Sequence, residues 1–282
     1  MRTALAIMIL ALFTGCSTAP KPGEQVLFKV AVNDIYCTDT ACSCVHDVAA
    51  RTYQTLVDEL AAQSGIDLQF DYFIEPYELE DAIRSGMYDG ALCKPWLAMR
   101  IEQETGSDFR RIVDVLDPGN NRWLTGIVIV TTDSPITSLK ELNGKHIYLG
   151  EPDAYEKHQA ALRLFTKEGI VPGKIDTHAS CIENIGALLD GKADAAVVSD
   201  YALSADCAVD FANPADFRII ARTEKIPLTS LMLDMKKVDA GNAGRLKKAL
   251  LDLSGEDAPE SLLSDGFAEP SLWNPPELEN KP

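Results

Sequence analysis

The sequence has few of the groups from which common catalytic motifs are built. It carries four histidines, and no Gly-x-Ser-x-Gly elbow, His-Glu-x-x-His pair, P-loop or dinucleotide-binding glycine pattern. Those absences exclude the usual hydrolase, metalloprotease, nucleotide-hydrolase and dehydrogenase sites, so neither enzymatic activity nor a cofactor is expected. Basic residues are also few: 26 Lys and Arg stand against 43 Asp and Glu, for a formal charge of −17. So acidic a surface disfavours nucleic acid and anionic lipid headgroups as partners. Beyond residue 13 no apolar run approaches the roughly 20 residues of a membrane-spanning helix. Internal repeats and coiled-coil heptads are missing as well.

The amino terminus does carry a compartment signal. Arg2 is the only early charge, residues 4–13 are apolar, and Phe13-Thr14-Gly15-Cys16 follows. This pattern predicts a lipoprotein signal peptide over 1–15, lipidation of Cys16, and a tether over 16–26 rich in Ser, Thr, Pro and Lys. Loss of Arg2 with the leader takes the charge one unit further negative. The protein is expected on the periplasmic face of a bacterial membrane, held by its lipid and otherwise monomeric.

Six further cysteines remain: Cys37, Cys42, Cys44, Cys93, Cys181 and Cys207. An even number in an oxidising compartment points to disulfides. Cys181 and Cys207 form the cleaner pair, while Cys42 and Cys44 are too close along the chain to favour each other over Cys37 and Cys93. The alternative is a soft-metal or metalloid site, or a ligand sensor, that uses Cys37, Cys42, Cys44, Cys93 and His46.

Strand and helix patterns alternate through the body. Runs at 27–32, 68–74 and 88–92 read as strands, separated by helical periodicity from Val45 to Ala61 and over 78–85. A second series starts with the strand 126–131, then 146–149, a helix from Asp153 to about 168, strand 175–178, helix 182–190 and strand 193–198. Segments 218–221 and 229–233 read as the chain crossing back, with closing helices over 244–253 and 260–264. Such βαβ alternation predicts an α/β protein of two lobes, each a mostly parallel sheet flanked by helices and joined by two hinge crossings. The expected division is 27–120 with 225–282 as the first lobe and 121–224 as the second. Ligands of parallel sheets bind at the carboxyl ends of strands. This rule points to the loops 33–46, 75–78, 92–97, 131–138, 150–158, 179–184 and 198–201.

From about Leu27 to Leu233 several short motifs occur in a fixed order. Ser138-Leu139-Lys140-Glu141-Leu142-Asn143-Gly144-Lys145 leads to Leu149-Gly150-Glu151-Pro152-Asp153, then Gly191-Lys192-Ala193-Asp194-Ala195, Ser199-Asp200-Tyr201 and Ile226-Pro227. Gly86-Met87-Tyr88-Asp89-Gly90 stands at the matching place in the first half. This series resembles the phosphonate/phosphite-binding, PhnD-like receptors of ABC importers, a group of type II periplasmic binding proteins. The resemblance implies a small-molecule ligand of phosphonate or oxyanion type between the lobes, and an ABC permease as partner. By position it implies His158 and its neighbours Asp153 and Tyr155 at the oxyanion, Glu183 as an acidic contact, and Asp200 with Tyr201 at a ligand amino group. Trp96 falls where the family sets a residue against the ligand, and Tyr36 lies in the first cleft loop. The chain departs from the pattern just before His158, where Ala154, Tyr155, Glu156 and Lys157 replace small hydroxyl and glycine residues.

Overall fold

The computed structural model describes residues 26–41, 50–204, 209 and 211–273. The leader, Cys16, Cys42, Cys44, His46 and Cys207 lie outside the described residues. Along the chain, β1 (Val26–Val32) is followed by α1 (Gln54–Ser64), β2 (Ile66–Tyr72), α2 (Pro76–Arg84), β3 (Gly90–Cys93), α3 (Pro95–Thr105) and β4 (Phe109–Val115). After β5 (Trp123–Leu124) come β6 (Gly126–Thr131), β7 (His146–Gly150), α4 (Gln159–Lys167), β8 (Lys174–His178), α5 (Cys181–Leu189), β9 (Ala195–Ser199) and β10 (Phe217–Arg222). The last elements are β11 (Ile226–Pro227), β12 (Ser230–Asp234), α6 (Ala240–Asp252) and β13 (Phe267–Ala268).

These strands build two main sheets, ordered β13-β4-β12-β3-β1-β2 and β10-β6-β9-β7-β8. Within the first, β1 is parallel to β2 and β3, whereas β12 runs antiparallel between β3 and β4. Within the second, β7 is parallel to β8 and β9, and β6 and β10 are antiparallel additions. The short strands β5 and β11 pair only with each other, as the two crossings between the lobes.

Period-two alternation sends each strand into two cores. Val30 and Val32 pack with Leu56, Leu60, Leu246 and Leu250, under α1 and α6. Between them Ala31 faces Leu79, Leu97 and Ile101, under α2 and α3. The second sheet repeats the scheme, with Val128 and Val130 against Phe165 of α4, and Ile127 and Ile129 against Ile185 and Leu188 of α5. A fifth cluster, Trp96, Leu124, Tyr155, Ala160, Ile226 and Leu228, fills the space around the crossings.

Several local expectations are corrected. Of the helix expected from Val45 to Ala61, residues 45–49 lie outside the described residues, Arg51 forms an isolated bridge with Cys37, and α1 begins at Gln54. The helix expected from Asp153 is broken into a 3-10 turn, Tyr155–Lys157, and α4, with His158 at φ −123° and ψ −86° between them. Segment 218–221 belongs to edge strand β10, so the return crossing is Ile226–Pro227. Residues 260–262 form only a 3-10 turn.

Arg51 is fully buried and fastens three distant parts of the first lobe. Its guanidinium donates to Asp34 Oδ2 at 2.8 Å, Leu262 O at 2.9 Å and Leu116 O at 2.5 Å. Tyr53 donates its hydroxyl to the same Asp34 oxygen at 2.7 Å. Burial alone would lower the Arg51 pKa, but Tyr53 and Asp34 outweigh it and hold the guanidinium above its usual range.

Candidate ligand-binding cleft

The loops after β1, β2, β3, β7, β8 and β9 converge on one cavity of about 310 Å³. All six leave the carboxyl ends of strands in the parallel parts of the two sheets. The loop 131–138 is excluded for a geometric reason: β6 is antiparallel to β9, so its carboxyl end lies at the far edge. There Arg218 donates to Thr132 O and Ser134 O instead.

Three helices begin at this cavity. Pro76 and Pro95 stand in the first turns of α2 and α3, where a missing N–H costs nothing. α5 starts from a capping box, in which the Ser180 side chain accepts from Glu183 N at 3.1 Å and Glu183 Oε2 accepts from Ser180. Unpaired amides at helix starts favour anions. Asn33 secures the far wall by donating to Phe73 O and Ile74 O.

Charge in the cleft is organised around Glu156, which is wholly buried. Its Oε1 accepts from Lys94 Nζ of the first lobe at 3.1 Å and from Ser199 Oγ of the second at 2.7 Å. Oε2 has no hydrogen-bond partner among the described residues. Burial would raise this carboxyl's pKa, yet Lys94, Lys157 and Ser199 prevail and keep it below the ordinary carboxylate range. Lys157 lines the cavity and donates to Ala179 O at 3.1 Å and toward Cys181 Sγ at 3.6 Å. Its burial favours the neutral amine, but Cys181, Glu156 and Asp153 more than offset that and raise its pKa. Gly126 makes room for this loop: a Cβ there would collide with Glu156 O. Two acids, Glu75 and Glu151, complete a mixed lining with Asp153.

A second cavity, of about 350 Å³, adjoins the crossings and brings together Tyr36, Asp117, Trp123, Asp200 and Arg222. Tyr201 lines both cavities. Burial pushes Tyr36 up to about 12, with Asp117, Asp34 and Asp200 adding to the effect. Asp200 is also raised, first by burial and then by the charge of Glu156.

The residues singled out from the sequence therefore divide. Asp153 and Tyr201 line the first cavity, and Tyr36, Asp200 and Tyr201 the second. His158 does not line either; its Nδ1 is 2.6 Å from Gly150 O, at the start of α4. Tyr155 donates its hydroxyl to Glu224 and packs against Trp96 with ring centroids 4.3 Å apart and planes tilted by 46°, so both rings are packed in the cluster between the lobes. Glu183 is exposed and spent on capping its own helix. The missed residues are Lys94, Lys157, Ser199 and the buried Glu156. A lysine placed directly between a strand and a helix-starting proline, as in Cys93-Lys94-Pro95, was the available signal.

The described cysteines differ from the pairing expected of them. Cys37, Cys93 and Cys181 are free, buried thiols. Cys37 and Cys93 lie in different cores, under α1 and under α3, and so neither pair with each other nor join one metal site. Among the described residues no cluster of three or more His, Cys, Asp or Glu side chains is placed to hold a metal ion.

Residues 45–271 match the family described as ABC transporter, phosphonate, periplasmic substrate-binding protein. The chain belongs to this family. No curated protein sequence matches it. Among solved structures, XAC2383 from Xanthomonas citri bound to ATP aligns over 87% of this chain and 91% of its own, at TM-score 0.65 and 17% identity. PhnD1 from Prochlorococcus marinus in complex with methylphosphonate aligns over 88% and 93%, at TM-score 0.60 and 12% identity. A binding-protein component of an ABC phosphonate transporter from Pseudomonas aeruginosa aligns over 88% and 82%, at 0.59 and 13%. The architecture is thus the two-lobed type II periplasmic binding protein fold, and the chain is a periplasmic substrate-binding component of an ABC transporter. No helix of the described residues is long and apolar enough to cross a membrane.

Proposed function

We propose that this family member is a lipid-anchored receptor that holds a small phosphonate-like oxyanion between its lobes and delivers it to an ABC permease. The observation that supports this reading is the meeting of Lys94 and Lys157, one from each lobe, at a cavity where three helices begin. In this reading the anionic end of the ligand approaches Lys157, Ser180 and the start of α5. The remainder reaches past Tyr201 toward Asp200 and Tyr36, where an amino group would find carboxylate. Glu156 is the internal counter-ion of the two lysines, whose ammonium groups supply donors in place of the hydroxyls lost before His158.

Thermal unfolding in the presence of methylphosphonate, aminoalkylphosphonates, phosphite, phosphate and sulfate tests the ligand. A ligand at a hundred times its Kd adds about 2.7 kcal/mol to stability, which for a chain of this size raises Tm by about 5–10 °C. Lys157→Met is expected to weaken binding roughly ten- to hundred-fold, the worth of a charge-assisted hydrogen bond. No shift with any of these anions would overturn the ligand class.

The anchor is tested separately. Cys16→Ser should abolish labelling by radioactive palmitate and release the protein from membranes into the soluble periplasmic fraction. Continued membrane retention of Cys16→Ser would count against lipidation there.

A further inference from the structure

Cys181 is the one thiol among the described residues that lines the cleft cavity. It is the first residue of the nine-residue helix α5. Its sulfur lies 3.6 Å from Lys157 Nζ and 3.8 Å from Ser199 Oγ. Ser199 donates onward to Glu156, the buried carboxylate whose Oε2 is left without a partner and whose Oε1 also receives Lys94. Cys181, Lys157, Ser199, Glu156 and Lys94 are therefore one connected network, not a solitary cysteine at a helix end: Cys181, Lys157 and Lys94 line the cavity, and Ser199 and Glu156 are buried behind them.

The other described thiols are placed differently. Cys37 and Cys93 lie in apolar cores, and burial pushes them up to about 11 and about 12; Cys93 donates to the carbonyl of Lys94, whose ammonium is bound to Glu156. The thiolate is the nucleophilic form of cysteine, and an adjacent cation together with a helix start favours it. Negative groups near Cys181 are Asp153 and Glu151 on the cavity lining and Glu156, which is linked to the sulfur through Ser199.

We propose that Cys181 is a modification site, the thiol at which a small peroxide or other electrophile admitted to the cleft reacts. With hydrogen peroxide, the sulfur forms a bond to one oxygen as the O–O bond breaks. The departing hydroxide takes up the thiol's proton and leaves as water. Sulfur loses two electrons, the peroxide gains two, and the product is a sulfenic acid. Lys157 serves as counter-ion to the attacking sulfur, and oxidation adds a polar atom to a cavity of about 310 Å³. The inference is independent of which ligand the cleft carries.

The test is peptide-resolved labelling of the full mature chain. Iodoacetamide should modify Cys181 at least about ten-fold faster than Cys37 or Cys93, and peroxide followed by dimedone should place the sulfenic adduct on Cys181. Lys157→Met should slow alkylation of Cys181 several-fold while Lys157→Arg retains most of the rate, and folded Cys181→Ser should lose the dimedone adduct. Circular dichroism on each variant separates slowed chemistry from unfolding, and the rate comparison within the wild type needs no variant. Cys181 labelled no faster than Cys37 and Cys93, or recovered from fresh protein in a disulfide with Cys207, would overturn the proposal.

Discussion

Arg51→Met is expected to lower the unfolding free energy by about 3–5 kcal/mol, the usual loss when one partner of a buried ion pair is removed. Arg51 and Asp34 are 1% and 0% exposed, so no water replaces the lost guanidinium. The variant leaves Asp34 with only the Tyr53 hydroxyl and the backbone around it, and frees the carbonyls of Leu116 and Leu262. Because Tyr36 stacks near the guanidinium, 5.8 Å from ring centroid to Cζ, the wall of the second cavity should loosen too. Denaturant unfolding checks the first effect, through a lower midpoint at unchanged slope. A loss below about 1 kcal/mol would mean the pair is solvated in solution. Asp34→Asn with Arg51→Met together should cost less than the sum, since the unpaired carboxylate is then gone.

The second large effect falls on the contact between the lobes. Lys94→Met removes the cation that reaches across to Glu156, and a loss of about 3–5 kcal/mol is again expected. The double variant Lys94→Met/Glu156→Gln should recover a substantial part of it, because the carboxylate no longer needs a partner. The pair also predicts a pH dependence. Glu156 is held below the ordinary carboxylate range in the folded protein, so it binds its proton less readily there than when unfolded. Its contribution is therefore complete above the unfolded carboxylate pKa and fades as pH falls from there through the lower folded value. Stability measured from neutral pH down through the carboxylate range should fall more steeply for the wild type than for the double variant. Parallel curves would remove Glu156 from this role.

Much of the scaffold was readable because it obeys simple periodicities. Short β-rich apolar runs announced β1 and β6 as strands, and six of seven cleft loops followed from the rule about strand ends. The seventh, 131–138, failed because strand direction is not written in hydrophobicity: β6 has the same apolar run whether parallel or antiparallel. The site was less legible. His158 was favoured because the family resemblance sets a histidine early in the helix after β7, but here the helix breaks at that residue and its ring nitrogen meets the Gly150 carbonyl. Glu156 and Lys157 stood out only as departures from the family pattern within an expected helix, and only the fold reveals that both are buried, the first against a lysine 62 residues away. Cysteine count suggested crosslinks, but it carries no information on which face of a sheet each sulfur occupies; Cys37 and Cys93 were separated by exactly that omission.

The crossings have a mechanical consequence. Trp123–Leu124 and Ile226–Pro227 are hydrogen-bonded strands of one small ribbon, and Leu228 N adds a bond to Arg122 O. Two separate connectors could each flex and swivel, giving the lobes several independent motions. A ribbon bends easily across its flat face and resists shear in its plane, so it leaves one soft mode. Any widening of the cleft is then a rotation about a single axis near Leu124 and Ile226. Every wall residue moves along an arc whose length grows with distance from that axis. Tyr201, which borders the crossing cavity, would travel least, and Glu75 and Glu151, outside that cavity, would travel farther.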